Sequence, residues 1–252
     1  MHPEQEKNLV YLLCKIKEVL DEEAIEFWLE CGTLLGAVRD RKIISWEHDL
    51  DFGAFRIKFP YNLQKLIKEK LSVRGFKVVI YKNHMNIRIS KSEEIWADIN
   101  YYDIINENAI VPHIKPKNLI GKLLSIFCNS LLNSYYHINS YKHENSFIKY
   151  LLGIIIRMVF ISISCILLTL LRQRLAEDIY SVYKKIGSKD VWWVVPSHYL
   201  TNLSRIKFYG KEFKIPFKVD DYLVYRYGRN WRIPKKDWVT ERDDGAVLNV
   251  KI

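Results

Sequence analysis

The sequence predicts an α+β protein with a mixed-sheet core, flanking helices and a hydrophobic helical insertion. Three observations lead there. Short alternating apolar–polar runs that read as strands are interleaved with amphipathic runs that read as helices. Two of the strand runs, Asp49-Leu50-Asp51-Phe52 and Trp96-Ala97-Asp98-Ile99, set acids among apolar residues. Leu119–Leu132 is apolar and Phe147–Leu171 strongly so, with Arg157 the only charge between Leu151 and Leu171. The expected organisation is a catalytic core over residues 1–110, the insertion over 111–175, and a C-terminal part over 176–252 that completes the core.

Residues 3–23 read as a helix, because Leu9, Leu12, Leu13, Ile16, Val19 and Leu20 recur at helical spacing with Glu and Lys opposite. Ala24–Leu29 reads as a short strand, leading through Gly32-Thr33 into a helical turn at Leu34–Val38. Leu63–Leu71 gives a second amphipathic helix. Phe76–Tyr81 and Met85–Ile89 read as strands joined by a turn at Lys82-Asn83-His84, and Glu94–Tyr102 reads as the strand carrying Asp98. Residues 104–118, with Pro112 and Pro116, look like a connection. Leu119–Leu132 and Phe147–Leu171 are the apolar stretches. The second nearly suffices for a bilayer span, but Lys149, Gly153, Arg157 and Ser164 form a narrow polar stripe along it. Such a stripe suits an in-plane membrane helix, and a buried helix pair is the competing reading. Gln173–Lys185 continues as helix and Val191–Val195 as strand. Further on, Pro216 ends a strand, Val219–Tyr225 forms a helix opened by Asp220, and Gly228 stops it.

The acids carry the chemistry. On a strand Asp49 and Asp51 point to the same side, about 6–7 Å apart, while Leu50 and Phe52 face the core. Two carboxylates on one face suit a hard divalent cation such as Mg2+ (or Mn2+), which takes oxygen ligands and leaves room for substrate phosphates. Asp98, between Ala97 and Ile99, is the third candidate, so Asp49, Asp51 and Asp98 are the predicted metal and catalytic set. Asp103 lies at the strand end and ranks below Asp98. His84 reads as a turn residue.

The formal charge of +10 favours anionic partners without choosing among them. The basic residues are scattered and no nucleic-acid-binding motif is present, so no nucleic acid is expected. The four cysteines, Cys14, Cys31, Cys128 and Cys165, sit in apolar settings without a C-x-x-C pair, which argues for reduced thiols rather than a zinc ribbon or disulfide framework. The N-terminus lacks the order of a signal peptide. A cytoplasmic enzyme, peripheral or monotopic on the membrane, is the expected setting.

The stretch W-L-E-C-G-T-L-L-G-A-V-R, followed by K-I-I-S-W-E-H-D-L-D-F-G, closely resembles the LicD/fukutin family of phosphotransferases within the nucleotidyltransferase superfamily. A second block, F-Y-G-K-E-F-K-I-P through Y-G-R-N-W-R-I-P, is similar to a C-terminal segment of that family. The resemblance implies a nucleotidyltransferase-like core. It implies that the turn at Gly32 and Thr33 presents backbone N–H groups to nucleotide phosphates, with Thr33 adding a hydroxyl or capping the helix. Arg39, in G-A-V-R, becomes the candidate for holding phosphate bidentately, and Lys211 and Arg226 are candidates for gripping phosphate or pyrophosphate. Members often read W-D-D-D-I-D, whereas this chain places Glu47 and His48 at two of those acids and Ser45 where proline is common.

The activity so implied is transfer of an alcohol phosphate, phosphocholine or a polyol phosphate, from a CDP-linked donor to the hydroxyl of a glycan or lipid-linked glycan. Two alternatives stay open: a nucleotidyltransferase moving NMP from an NTP to an alcohol phosphate, and a non-catalytic, membrane-seated nucleotide- or glycan-binding protein.

Overall fold

The structure is a computed structural model that describes residues 2–81, 86–92, 94–132 and 169–248. It opens with α1 (Pro3–Glu22), β1 (Phe27–Leu29) and α2 (Cys31–Leu35), which runs on as one wide π turn over Gly36–Asp40. Then come β2 (Asp49–Phe55), α3 (Tyr61–Val73), β3 (Lys77–Tyr81), β4 (Asn86–Ser90), β5 (Trp96–Ile105) and β6 (Asn108–Pro116). Helices α4 (Leu119–Leu132) and α5 (Thr169–Val182) precede β7 (Ser188–Pro196) and α6 (His198–Thr201). The chain closes with β8 (Leu203–Phe208), β9 (Lys211–Pro216), α7 (Val219–Tyr227), α8 (Thr240–Asp243) and β10 (Val247–Leu248). Two compact units result, Met1–His113 with Val191–Ile252, and Ile114–Asp190.

The first unit is built on a mixed sheet of eight strands, ordered β1-β2-β5-β6-β7-β10, with β4 also paired to β5 and β3 to β4. Strand β2 runs parallel to β5, and Asp51 is the register partner of Asp98. Its other edge pairs antiparallel with β1, setting Trp28 opposite Gly53. The predicted stripe of α1 is fully buried. Leu50, Phe52, Ala97 and Ile99 are buried as strand parity requires. Strands β8 and β9 form a separate hairpin.

Two readings are corrected. The expected connection over 104–118 is largely strand: Asn106, at φ 56°, makes the left-handed turn that folds β6 back along β5, with Asp103 opposite Ile110. Pro112 and Pro116 had argued against a strand there. Strand β8 went unread because its alternation is weak. Helix α7 stops as expected at Gly228, which takes φ 79°.

In the second unit Asn118 Oδ1 accepts from Gly121 N–H at the start of α4. Gly121 and Gly187 approach so closely that a Cβ on Gly121 would collide with the Gly187 carbonyl, which itself accepts from Lys117 N–H at 2.8 Å. Leu119, Ile120, Leu171 and Ile186 are each about half exposed or more. Among the described residues no helix is long and apolar enough to cross a membrane. The turn at His84 and most of the apolar stretch Phe147–Leu171 lie outside the described residues.

A Cβ at Gly53 would press into the Trp28 indole and stand 2.5 Å from Glu30 Oε2. Both neighbours are fully buried, so neither can swing away. Gly53→Ala is therefore expected to lose about 1–3 kcal/mol by overpacking, read as a lowered Tm in thermal melts.

Candidate active site

The parallel register of β2 and β5 places Asp51 beside Asp98, with Asp49 two residues earlier on the same side of β2. Asp51 is fixed through its backbone. Its N–H donates to Thr33 Oγ1 at 2.8 Å, and its carbonyl accepts from Glu30 N–H at 3.0 Å. The turn between β1 and α2 thus grips the middle of the acidic strand. Asp98 is held by Arg88 on the neighbouring β4, its antiparallel register partner. Arg88 Nε donates to Asp98 Oδ1 at 2.8 Å, and a second, shorter bond runs from Nη2 to Oδ2.

Burial and mutual repulsion dominate the electrostatics. Burial, then the charges of Asp49 and Asp98, push the Asp51 carboxyl well above the usual carboxylate range. Burial and Asp98 raise Asp49 as well, against the pull of Arg88 and His48. Glu47 joins them: burial, the charge of Asp49 and a hydrogen bond with it raise Glu47 to about 7. The result is a cluster of carboxyls that raise one another, with Arg88, His48 and Arg39 opposing the shift. Two carboxylates with oxygen donors suit Mg2+ once substrate phosphates complete the shell. Among the described residues no three His, Cys, Asp or Glu side chains stand in a metal-holding group. The predicted set is divided for a visible reason: Asp98 spends both oxygens on Arg88, which leaves Asp49 and Asp51 as the pair that fits a cation.

The predicted substrate residues fare differently. Gly32 faces the Glu47 carboxyl, with a Cβ position 3.4 Å from it. Thr33 is buried, and its hydroxyl braces Asp51 rather than offering itself to phosphate or capping α2. Arg39 forks onto its neighbour Asp40 through two bonds of 2.8 Å and lowers Glu47 electrostatically, so its charge acts at this site. Lys211 is exposed at the start of β9, and its charge acts on Glu18 of α1. Arg226 is corrected outright. It is 1% exposed and donates to Asp244 at 2.8 and 2.6 Å and to Glu30 at 2.9 Å, so it holds the fold and cannot grip phosphate. Asp103 pairs with Arg56 at 3.1 Å.

Sequence reasoning missed Arg88, Glu30 and Lys236. Arg88 was readable: in Asn86-Ile87-Arg88-Ile89-Ser90 it shares a face with neither isoleucine. Glu30 gave no signal, since an acid after an apolar strand is usually solvated. Lys236 rests over the Trp46 ring at 5.5 Å, beside Glu47 in sequence, and only the fold brings the two together. His48 meets the Gln5 side chain of α1 at 2.6 Å through Nδ1.

The raised Glu47 makes a pH-dependent prediction. Between its ordinary value of 4.5 and about 7 the folded protein binds more protons than the unfolded chain. Stability therefore falls as pH rises through that window. Glu47→Gln removes the effect. In metal-free protein its melting temperature is expected to match that of the unmodified protein near pH 4.5 and to exceed it by about 2–4 °C at pH 8.

Residues 24–119 match the family model described as LicD/FKTN/FKRP, nucleotidyltransferase domain. A 46-residue stretch is 46% identical to the uncharacterized protein RP689 of Rickettsia prowazekii, covering 18% of this chain and 17% of that one. A 37-residue stretch is 46% identical to the ribitol 5-phosphate transferase FKRP of Homo sapiens, covering 15% of this chain and 8% of that protein. The matches thus span less than a fifth of those relatives. Among solved structures, the lincosamide antibiotic adenylyltransferase LnuA aligns at 13% identity and TM-score 0.37 over 86% of this chain and 84% of its own, a likeness too loose to build on. The acidic strand β2, its partner β5 and the turn that grips them all lie inside the region, residues 24–119, that is similar to the LicD/FKTN/FKRP nucleotidyltransferase domain.

Proposed function

We propose that the protein is a metal-dependent transferase that moves an alcohol phosphate, such as phosphocholine or a polyol phosphate, from a CDP-linked donor to a glycan hydroxyl. The observation that carries this reading is the half-buried Asp49–Asp51 pair on one face of β2, raised by desolvation and by the charges of neighbouring acids. The family match and the similarity to a ribitol 5-phosphate transferase support this substrate class. Asp49 and Asp51 would hold Mg2+ or Mn2+, which would neutralise charge on the donor pyrophosphate when bound. Arg88 holds Asp98 in place through two hydrogen bonds, and Asp98 takes the proton of the acceptor hydroxyl. Arg39 and Lys236 add positive charge near Glu47 and Trp46, where an anionic donor gains from it. Positioning and electrostatics do most of the work in such a transfer.

The setting belongs to the same proposal. The apolar residues exposed on α4 and α5 support a peripheral seat on the cytoplasmic membrane surface, where lipid-linked acceptors reside and basic residues favour anionic lipid.

The test is thermal stability with CTP, CDP-choline, CDP-ribitol and CDP-glycerol, each with and without Mg2+. A ligand that binds the folded state raises its Tm. A magnesium-dependent rise with one CDP-alcohol, absent in Asp51→Asn, is expected, and that variant should lose at least about 100-fold in transfer rate. A rise with CTP alone would favour the nucleotidyltransferase, and full activity in Asp51→Asn would overturn the metal assignment.

A further inference from the structure

Behind the acidic strand lies a buried polar network that the proposed chemistry does not use. Glu30 is fully buried, and its two carboxylate oxygens meet three donors. Arg226 Nη1 donates to Oε1 at 2.9 Å, Tyr222 O–H donates to the same oxygen, and Trp28 Nε1 donates to Oε2 at 2.9 Å. Arg226 spends its other nitrogens on Asp244, and Nη2 also reaches Cys31 Sγ at 3.4 Å. Asp244 is fixed in turn, since its Oδ1 accepts from Ala246 N–H at 2.9 Å and Gly245 N–H donates to the Arg226 carbonyl at 2.9 Å. Every element here belongs to the first unit.

The backbone of Glu30 faces the other way. Its N–H donates to the Asp51 carbonyl, and its carbonyl accepts from Leu34 N–H at 2.9 Å, which starts α2 and so sets Thr33 under the Asp51 N–H. Between them Cys31 sits at φ 45°, a left-handed conformation that a non-glycine residue keeps only when its surroundings hold it. A solvated glutamate would cap or decorate this turn equally well. A buried one, locked by an arginine 196 residues along the chain, does more.

We infer that Glu30, clamped by Arg226 and Asp244, is a positioning residue that sets the backbone of Asp51 for metal binding. The C-terminal segment thereby controls the geometry of a strand near the N-terminus. The metal-binding consequence rests on the function proposed above, whereas the clamp on the Asp51 backbone can be tested without it.

The experiment compares the unmodified protein, Glu30→Gln, Arg226→Lys, and Leu71→Ala, a core variant on α3 chosen to match their loss of global stability. Amide hydrogen exchange reads the clamp directly. The Asp51 and Glu30 amides are expected to exchange about ten-fold faster in Glu30→Gln and Arg226→Lys than in Leu71→Ala, with Phe52 and Leu50 less affected. Uniform change along β2, as in Leu71→Ala, would overturn the clamp. Mn2+ affinity, read by electron paramagnetic resonance of the free ion, then reports its consequence: about ten-fold weaker binding in both clamp variants and none of that loss in Leu71→Ala. Unchanged Mn2+ affinity in a variant that does lose Asp51 protection would overturn the positioning role. Absence of Mn2+ binding by the unmodified protein would instead sink the proposed function, leaving the exchange result to decide the clamp.

Discussion

The parallel pairing of β2 with β5 is the constraint on which the site depends. Two carboxylates brought alongside each other by strand register cannot drift apart, because shifting either strand by one residue would turn its acids into the core and its apolar residues out of it. Leu50, Phe52, Ala97 and Ile99 therefore enforce the repulsion between Asp51 and Asp98 as firmly as they enforce the sheet. Arg88 relieves one side of it. Asp49 and Asp51 keep raised carboxyls, held up by burial and by the neighbouring acids.

Much of this was readable in the sequence, and the limits have physical reasons. Period-two alternation at Asp49–Phe52 fixed which side chains share a face, and the length of α1 followed from its leucine spacing. What periodicity cannot report is pairing. Nothing local to Arg88 reveals that it will lie across from Asp98, and nothing local to Arg226 distinguishes a phosphate ligand from a buried ion pair. Proline at two positions of β6 misled in another way: local propensity argued for a connection, and the left-handed turn at Asn106 with the sheet edge beside it overrode that preference. The family resemblance assigned Thr33 and Arg226 outward roles, whereas both face inward, one bracing a strand and the other a turn.

Glycines mark where backbones and side chains must pass close to one another, and their distribution follows the function. Gly53 leaves space for Trp28 and Glu30 directly behind the acidic strand, so the strand's position and the buried glutamate depend on one missing methyl group. Gly245 makes comparable space beside Tyr225, where the C-terminal turn meets α7. Both ends of the buried polar network are thus seated against residues that tolerate no side chain.

The contact between Gly121 and Gly187 has a different consequence. Chain leaves through one glycine and returns through the other at van der Waals distance, so the intervening stretch is a closed excursion with its ends already joined. The entropy of closing such a loop grows only logarithmically with its length, about 0.6 kcal/mol for each doubling. Length added between the two glycines therefore carries little closure cost at their junction.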